Sequence, residues 1–191
     1  MTREQLLMLA GVALAVGVPL LWLIGTYNGL VRLGLHVKES WSGIDTELKR
    51  RYDLIPNLVE AVKGCAAHER EVFERVARAR AAAMSEHGSL REQARDENAM
   101  IGSLRGVLAL AEGYPQLRSD ANFLHLQREL VNTEDRIQAS RRFYNANVRD
   151  LNARCASFPS NLVASVAGIR PAEFYEIEDA GVRAVPAVGL A

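Results

Sequence analysis

The sequence predicts an all-α protein in which an N-terminal transmembrane helix leads into an antiparallel up-and-down helical bundle, similar to a four-helix bundle. Three observations indicate this fold class. Residues 6–25 form an apolar run without a charge, apolar residues downstream recur at steps of three and four, and one stretch repeats an apolar residue every seven positions. Aromatic residues make up only 6% of the chain, which favours helix over sheet.

The composition is that of a folded protein without a nucleic-acid-binding surface. Of the 191 residues, 49% are hydrophobic and 24% are charged, and the formal net charge is zero. Proteins whose main partner is nucleic acid need a strongly basic face. We therefore expect no nucleic-acid partner.

The N-terminal run LLMLAGVALAVGVPLLWLIG is long enough to cross a membrane. Its twenty residues would extend about 30 Å as a helix, which matches the hydrocarbon core of a bilayer. Trp22 and Tyr27 stand at one end, where amphipathic rings favour the interface. A cleaved signal peptide is the alternative, but its apolar core would be shorter and a small-residue cleavage site would follow. We predict an uncleaved anchor over residues 1–25 and leave its orientation open.

The anchor is predicted to continue as one helix to Tyr52, because apolar residues from Leu30 onward follow a helical period. The cations at 49–51 would then occupy its last turn, where they complement the helix dipole. Asp53 would cap a second helix with Pro56 in its first turn, where a missing amide is harmless. The sequence thus predicts a corner between two antiparallel helices at this point.

The second helix is predicted to end within SEHGS at 85–89. Ser89 and Glu92 have the spacing of a capping box and would begin the third helix, with Asp96 as a rival start. Gly113, followed by a Tyr-Pro step, would end it.

The fourth helix has the clearest pattern, an apolar residue at every seventh position. Asp120 or Ser119 would cap its start and Pro159 would end it. Glu134 and Arg141 also occupy inward positions; they would either pair with facing helices or lie at the rim, and we favour the rim. The apolar repeat consists of Phe123, Leu130, Ile137, Tyr144, Leu151 and Phe158.

Beyond Pro159 the chain reads as a short apolar helix followed by an extended piece. We expect Leu162, Val166, Phe174 and Tyr175 to cover one end of the bundle. The bundle would thus occupy 26–175. Residues 176–191 show no apolar period and are predicted to form a flexible tail.

No catalytic, cofactor-binding or metal-binding residue is assigned from the sequence. HExxH, Gly-rich phosphate loops, GxSxG and the Glu-x-x-His pairs of di-iron bundles are all missing from the 191 residues. Cys65 with His68, and His125 with Glu129, have ligand-like spacing, but each is only half a site. We therefore expect no cofactor and no small-molecule substrate.

Other polar features have ordinary structural interpretations. Cys65 and Cys155 are predicted to be small buried hydrophobic residues, although a disulfide stays open. The cations at 49–51 and 141–142 could contact anionic lipid, but helix-end and surface solvation is favoured. Two pairs could form polar contacts, with solvated faces as the default: Asn145 with Asn147, and Asn152 with Arg154.

Three runs resemble the LemA family and together cover nearly the whole chain. They are YNGLVRLGLHVKESWSGIDTELKRRYDLIPNLVEAVKGCAAHE at 27–69, EGYPQLRSDANFLHLQRELVNTEDRI at 112–137 and RRFYNANVRDLNARCASFPSNLVA at 141–164. The resemblance implies a single-pass bacterial membrane protein with an antiparallel helical bundle. Cys65 departs from the family, which usually has an aromatic residue there. The family has no established biochemical function; relatives are linked to envelope processes and to forming membrane compartments.

The leading functional hypothesis is a membrane-anchored interaction or scaffolding protein of the bacterial cytoplasmic (inner) membrane, without catalytic activity. Its expected partners are the lipid bilayer and either another membrane protein or a second copy. The alternative is a membrane-remodelling protein that assembles on the bilayer. A hydrolase or metalloenzyme is disfavoured because the required motifs are missing.

Overall fold

A computed structural model describes residues 3–66 and 68–176, and it confirms the all-α fold class: those residues contain helices and no strand. The predicted tail lies outside the described residues, apart from Glu176. The helices are α1 (Arg3–Lys63), α2 (Arg70–Ala83), α3 (Leu90–Glu112), α4 (Pro115–Arg118), α5 (Ala121–Ala156) and α6 (Ser160–Val166).

Helix α1 runs without a break through Pro56, so the predicted corner at Asp53 is wrong. Proline has no amide hydrogen and would leave the carbonyl oxygen four residues earlier, that of Tyr52, without its helical partner. Arg80 of α2 donates from Nε to this oxygen at 2.8 Å. A side chain from another helix thus replaces the missing backbone bond, and the helix continues to Lys63.

Instead, α1 ends at Lys63 and α2 begins at Arg70, within the stretch where the second helix was predicted to continue. The start of α3 agrees with prediction: Ser89 Oγ accepts from the backbone amide of Glu92 at 3.2 Å. The rival start at Asp96 is wrong. Gly113 follows the last residue of α3, as predicted.

Helix α5 begins where the cap was expected, because the backbone amide of Phe123 donates to Asp120 Oδ1 at 2.7 Å. The short helix α4 before it was not predicted. The apolar repeat is buried from Phe123 to Leu151. Its last member, Phe158, lies beyond the helix end and is 81% exposed.

The chain divides into two compact units, and α1 and α5 contribute to both. Unit 2 comprises Gly43–Arg141 with Phe174–Ala191. Within it, Glu47 faces Arg136 and Arg50 faces Glu129, so α1 and α5 are antiparallel. Contacts of α2 with α1 and a short α2–α3 loop complete an up-and-down arrangement of four helices, as predicted.

Unit 1 comprises Met1–Ser42 with Arg142–Glu173. The Trp41 and Tyr144 rings meet edge to face with centroids 5.4 Å apart, which joins α1 to α5. After α6 the chain returns along α5. Asn152 there donates to the Ala172 carbonyl at 2.9 Å and accepts from the Ala172 amide at 2.8 Å.

The N-terminal part of α1 presents its apolar side chains to the surroundings. Leu14, Val18 and Leu21 are 65%, 57% and 70% exposed. Among the described residues, α1 is the helix that is long and apolar enough to cross a membrane. The protein therefore carries a candidate membrane span where the sequence predicted one.

Candidate functional site

The buried centre of unit 2 is an ionic cluster around Arg51, whose side chain is only 2% exposed. Its guanidinium donates from Nη1 to Glu134 Oε2 at 2.6 Å and from Nη2 to the Glu97 carboxylate. These two acids belong to α5 and α3. One cation of α1 thus connects three helices of the bundle.

Tyr52 extends this Arg51 cluster. Its hydroxyl lies within hydrogen-bonding distance of the Glu97 carboxylate and of the Ala83 carbonyl oxygen of α2, and its single proton can be donated to one of them at a time. Burial raises the pKa of Tyr52 far above its ordinary value, and the nearby Glu97 charge adds to this shift. The hydroxyl therefore stays protonated at neutral pH and serves as a hydrogen-bond donor.

Glu97 is the most deeply buried acid of the cluster, with no exposed side-chain surface. Burial raises its pKa, while Arg51 and the hydrogen bond from Tyr52 act in the opposite direction. We give burial the larger weight because the carboxylate is removed entirely from water. Glu97 is thus an acid with a raised pKa at the centre of the bundle.

Tyr175 completes the cluster from the chain that follows unit 1. Its side chain is fully buried, and burial raises its pKa, with the Glu97 charge as the next cause. Of the four residues expected to cover an end of the bundle, Tyr175 is buried, but Leu162 and Val166 are largely exposed and Phe174 is 40% exposed. The prediction that Leu162 and Val166 cover an end of the bundle is therefore wrong.

Arg51 contradicts the sequence interpretation of its cationic run as a solvated helix end. The other two cations of the run, Lys49 and Arg50, do lie at the surface. Arg50 donates to Glu129 at 2.6 Å, which lowers the pKa of that acid. Glu134 pairs with Arg51 across the bundle, as the less favoured interpretation had it, and its side chain is still 35% exposed. A signal was present: Arg51 stands at the seven-residue spacing of the buried residues Leu30, Val37, Ile44 and Leu58.

The cluster is suited to holding the bundle together and not to acting on a substrate. Arg51 and Glu97 are removed from solvent, and each already has a charged partner. A general acid or base must come within hydrogen-bonding reach of the substrate. The cluster lies beside an accessible surface of unit 2 that another molecule can reach.

That surface is an open groove of about 590 Å³ between α3 and α5, with Arg51 and Glu134 at its inner end. We call it the α3–α5 groove. Arg105 is exposed and Arg141 half-buried along it, and both are cations. Apolar side chains make up most of its remaining wall: Ile101, Leu104, Leu108, Leu130 and Val131.

The half-sites noticed in the sequence do not assemble into larger ones. No group of three His, Cys, Asp or Glu side chains that could hold a metal occurs among residues 3–66 and 68–176. Glu129 pairs with Arg50. Cys65 and Cys155 are free thiols and only half-buried, so they are less enclosed than predicted. Burial raises the pKa of Cys155.

Asn147 and Asn152 make contacts where solvation was the default interpretation. Asn147 donates to the His36 carbonyl oxygen at 3.5 Å, and Asn152 makes the paired bonds to Ala172 described above. Both side chains help to hold unit 1 together.

A helical bundle preceded by a candidate membrane helix, with a charged cluster inside the bundle, defines a class of membrane-associated α-helical proteins. A family model described as "LemA family" matches residues 40–189. The chain therefore belongs to the LemA family, as its sequence runs indicated.

Characterised relatives share about a quarter of their residues with this chain. Magnetosome protein MamQ 2 of Paramagnetospirillum magneticum is 26% identical over 184 residues, covering 83% of this chain and 68% of its own. Magnetosome protein MamQ of Magnetospirillum gryphiswaldense is 25% identical, covering 92% and 74%. Protein LemA of Metamycoplasma hominis is 26% identical, covering 79% and 69%.

Proposed function

We propose that this protein is a non-enzymatic scaffold of the bacterial cytoplasmic membrane, anchored by the N-terminal part of α1. In this proposal the bundle binds an amphipathic helix of a membrane-protein partner through the α3–α5 groove. Two features support a binding role over catalysis. Arg51 and Glu97 at the centre of the cluster are buried and paired, and the accessible surface beside them is a groove.

The observation that carries the proposal is the chemistry of the α3–α5 groove. Val131 is 56% exposed on its wall, next to the half-buried side chains of Ile101 and Leu108. A groove of this kind accepts the apolar face of a helix through residues spaced three or four apart. Arg105 and Arg141 would favour acidic residues along the flank of that helix.

A photo-crosslinking amino acid at Val131 tests this proposal in native membranes. We expect ultraviolet light to join the chain to another membrane protein, because the side chain at 131 would lie against the bound helix. Arg105→Glu, combined with the same crosslinker, should reduce the yield of that adduct since it reverses a charge that favours an acidic partner.

The same crosslinker at Ala81, which is exposed on α2 and outside the groove, serves as the control. Equal yields at 131 and 81 would refute a docking site in the groove. An adduct that contained only two copies of this chain would replace the membrane-protein partner with self-association.

Membrane remodelling by self-assembly is the second candidate function. It is favoured by the exposed apolar side chains of Phe158, Leu162 and Val166 beyond the end of α5, and it agrees with relatives whose names refer to magnetosomes. Purified protein should then deform liposomes or form assemblies on them in electron micrographs. Liposomes that keep their shape at high protein density would contradict this function.

A further inference from the structure

We propose that the α5–α6 tip, comprising residues 157–167, inserts at the boundary between the headgroups and acyl chains of the bilayer that α1 enters. The tip would act as a second membrane contact that sets how deeply α1 sits. This inference rests on the membrane anchoring proposed above, but it does not require a protein partner or membrane bending.

The first observation is the exposure of large apolar side chains on the tip. Phe158 is 81% exposed, Leu162 59% and Val166 93%. Leu162 and Val166 are one turn apart and share a face of α6. Transfer of such side chains from water into an apolar environment is favourable. Three of them on one short segment therefore need an apolar surrounding.

The second observation is what lies beside these side chains. Leu162 and Val166 line an open apolar groove of about 510 Å³ together with Trp22 and Tyr27 of α1. Trp22 and Tyr27 stand where the uncharged run of α1 ends, a position that favours the membrane interface. The apolar surface of the tip is thus continuous with the end of the candidate span. Lipid, which would surround the span, would therefore cover the apolar surface of the tip as well.

The charges around the tip favour a lipid surface as well. Between Asp150 and Glu173 the chain contains no acid, and its two cations, Arg154 and Arg170, are exposed. Cations at these positions would be attracted to an anionic leaflet. The tip therefore combines an apolar end with flanking positive charge, as interfacial membrane segments do.

The tip is also held in a defined position. Ser160 Oγ lies within hydrogen-bonding distance of the carbonyl oxygens of Arg154 and Ser157, at 2.8 and 2.9 Å. Asn152 of α5 makes two hydrogen bonds to the backbone of Ala172, which lies in the segment after α6. Val163 and Ala164 are buried, so α6 is packed on one face while Leu162 and Val166 stay outside.

Depth-dependent fluorescence quenching tests the inference on the full chain. Cys65→Ser and Cys155→Ser provide a background for a single environment-sensitive fluorophore at Val166→Cys. The protein is reconstituted in vesicles of phosphatidylcholine and phosphatidylglycerol that carry nitroxides at the headgroup, or shallow or deep in the acyl chain. We expect strongest quenching by the shallow nitroxide, because interfacial segments bury their apolar face about 5–10 Å into the boundary between headgroups and acyl chains.

Two further label positions separate the outcomes. Val18→Cys lies within the candidate span, and Lys38→Cys is exposed on α1 about 20 Å beyond Gly25. Deep quenching at 18, together with no more quenching at 166 than at 38, would refute insertion of the tip alone. Absence of quenching at 18 would refute the anchoring itself. A blue-shifted label at 166 that no nitroxide quenches would show that protein covers the tip, which also overturns the inference.

Leu162→Glu with Val166→Glu supplies an independent measurement. Because both side chains are exposed, these changes should leave the helix content unchanged by circular dichroism. They should shift a label at Phe158→Cys out of the quenching range of the shallow nitroxide. Unchanged quenching in this variant, with the fold intact, would contradict the inference.

Discussion

Arg51 is the residue that most depends on its surroundings. A buried guanidinium is tolerated because two carboxylates from different helices accept its hydrogen bonds. Removing the cation alone would leave Glu97 charged or forced to take up a proton in a site without water. Replacing Arg51 alone should therefore lower the free energy of unfolding strongly, whereas replacing both Arg51 and Glu97 should lower it little.

We expect Arg51→Leu to lower the free energy of unfolding by about 3–5 kcal/mol, since it leaves an uncompensated buried acid. Combining it with Glu97→Leu should recover most of this loss, because Tyr52 can still donate to the Ala83 carbonyl oxygen. Chemical denaturation of the detergent-solubilised chain, followed by circular dichroism, measures both. A double variant as unstable as the single one would contradict the role of charge pairing.

The raised pKa of Glu97 predicts a pH dependence of stability. The folded protein binds its proton more tightly than the unfolded chain, whose pKa lies near the ordinary 4.5. The contribution of Glu97 is therefore largest below that value and falls as pH rises toward the folded pKa. We therefore compare the unfolding free energy of the native chain with that of Glu97→Gln. The native value minus the variant value should decrease as pH rises across this window, by at most about 1.4 kcal/mol per pH unit.

Denaturation of both proteins in parallel at several pH values from 4.5 upward checks this expectation. The contributions of other acids to the pH dependence are the same in both proteins and cancel in the difference. Glu129, whose pKa is lowered by Arg50, is one of these acids. A difference that grows with pH would mean that Arg51 and Tyr52 outweigh burial at Glu97.

At the level of helices, α1 shows how a local rule can be overridden by packing. Pro56 removes one helical hydrogen bond, and Arg80 of α2 supplies a replacement at the Tyr52 carbonyl oxygen. The helix therefore depends at this point on a neighbour that is 24 residues further along the chain. The same proline would end a helix that lacked such a neighbour.

A double-mutant cycle tests this compensation. Arg80→Leu should lower the unfolding free energy by about 1–2 kcal/mol because it leaves a carbonyl oxygen without its donor. In a Pro56→Ala background, where residue 56 regains an amide hydrogen for Tyr52, the same change should cost about 1 kcal/mol less. Arg78→Leu, on the exposed face of α2, is the matched control and should have little effect in either background.

The starts of α3 and α5 were predicted correctly, whereas the break between α1 and α2 was not. Ser89 and Asp120 cap α3 and α5 through their own side chains, within three residues of the amides they accept from. Such interactions are local and can be read from spacing. The passage of α1 through Pro56 depends on Arg80 of α2, so no local pattern could have predicted it.

For the molecule as a whole, the apolar part of α1 determines where the protein resides. Leu14→Arg with Val18→Arg places two charges within the candidate span, at a cost of about 2.5–3.5 kcal/mol each for insertion. We expect this variant to leave the membrane fraction, whereas Asp45→Arg with Asp53→Arg, two exposed positions outside the span, should stay in it. Cell fractionation with immunoblotting measures both.

A native chain that was extracted from membranes by high salt or carbonate would contradict the span. Separation of inner from outer membranes in the same experiment tests the proposed cytoplasmic-membrane location. The side that carries the bundle follows from protease accessibility of a C-terminal tag in spheroplasts.

Three kinds of local pattern were enough to establish much of the fold. Apolar periodicity indicated an all-α protein and the buried stripe of α5, an uncharged apolar run indicated the candidate membrane helix, and capping residues indicated the starts of α3 and α5. These features arise from interactions between residues a few positions apart or from the bulk preference of side chains for lipid or core. The Arg51 cluster, the passage through Pro56 and the exposed α5–α6 tip emerged only when the chain was folded. Each depends on side chains from distant parts of the sequence, and a charge in an apolar stripe is interpretable only once its partners are known.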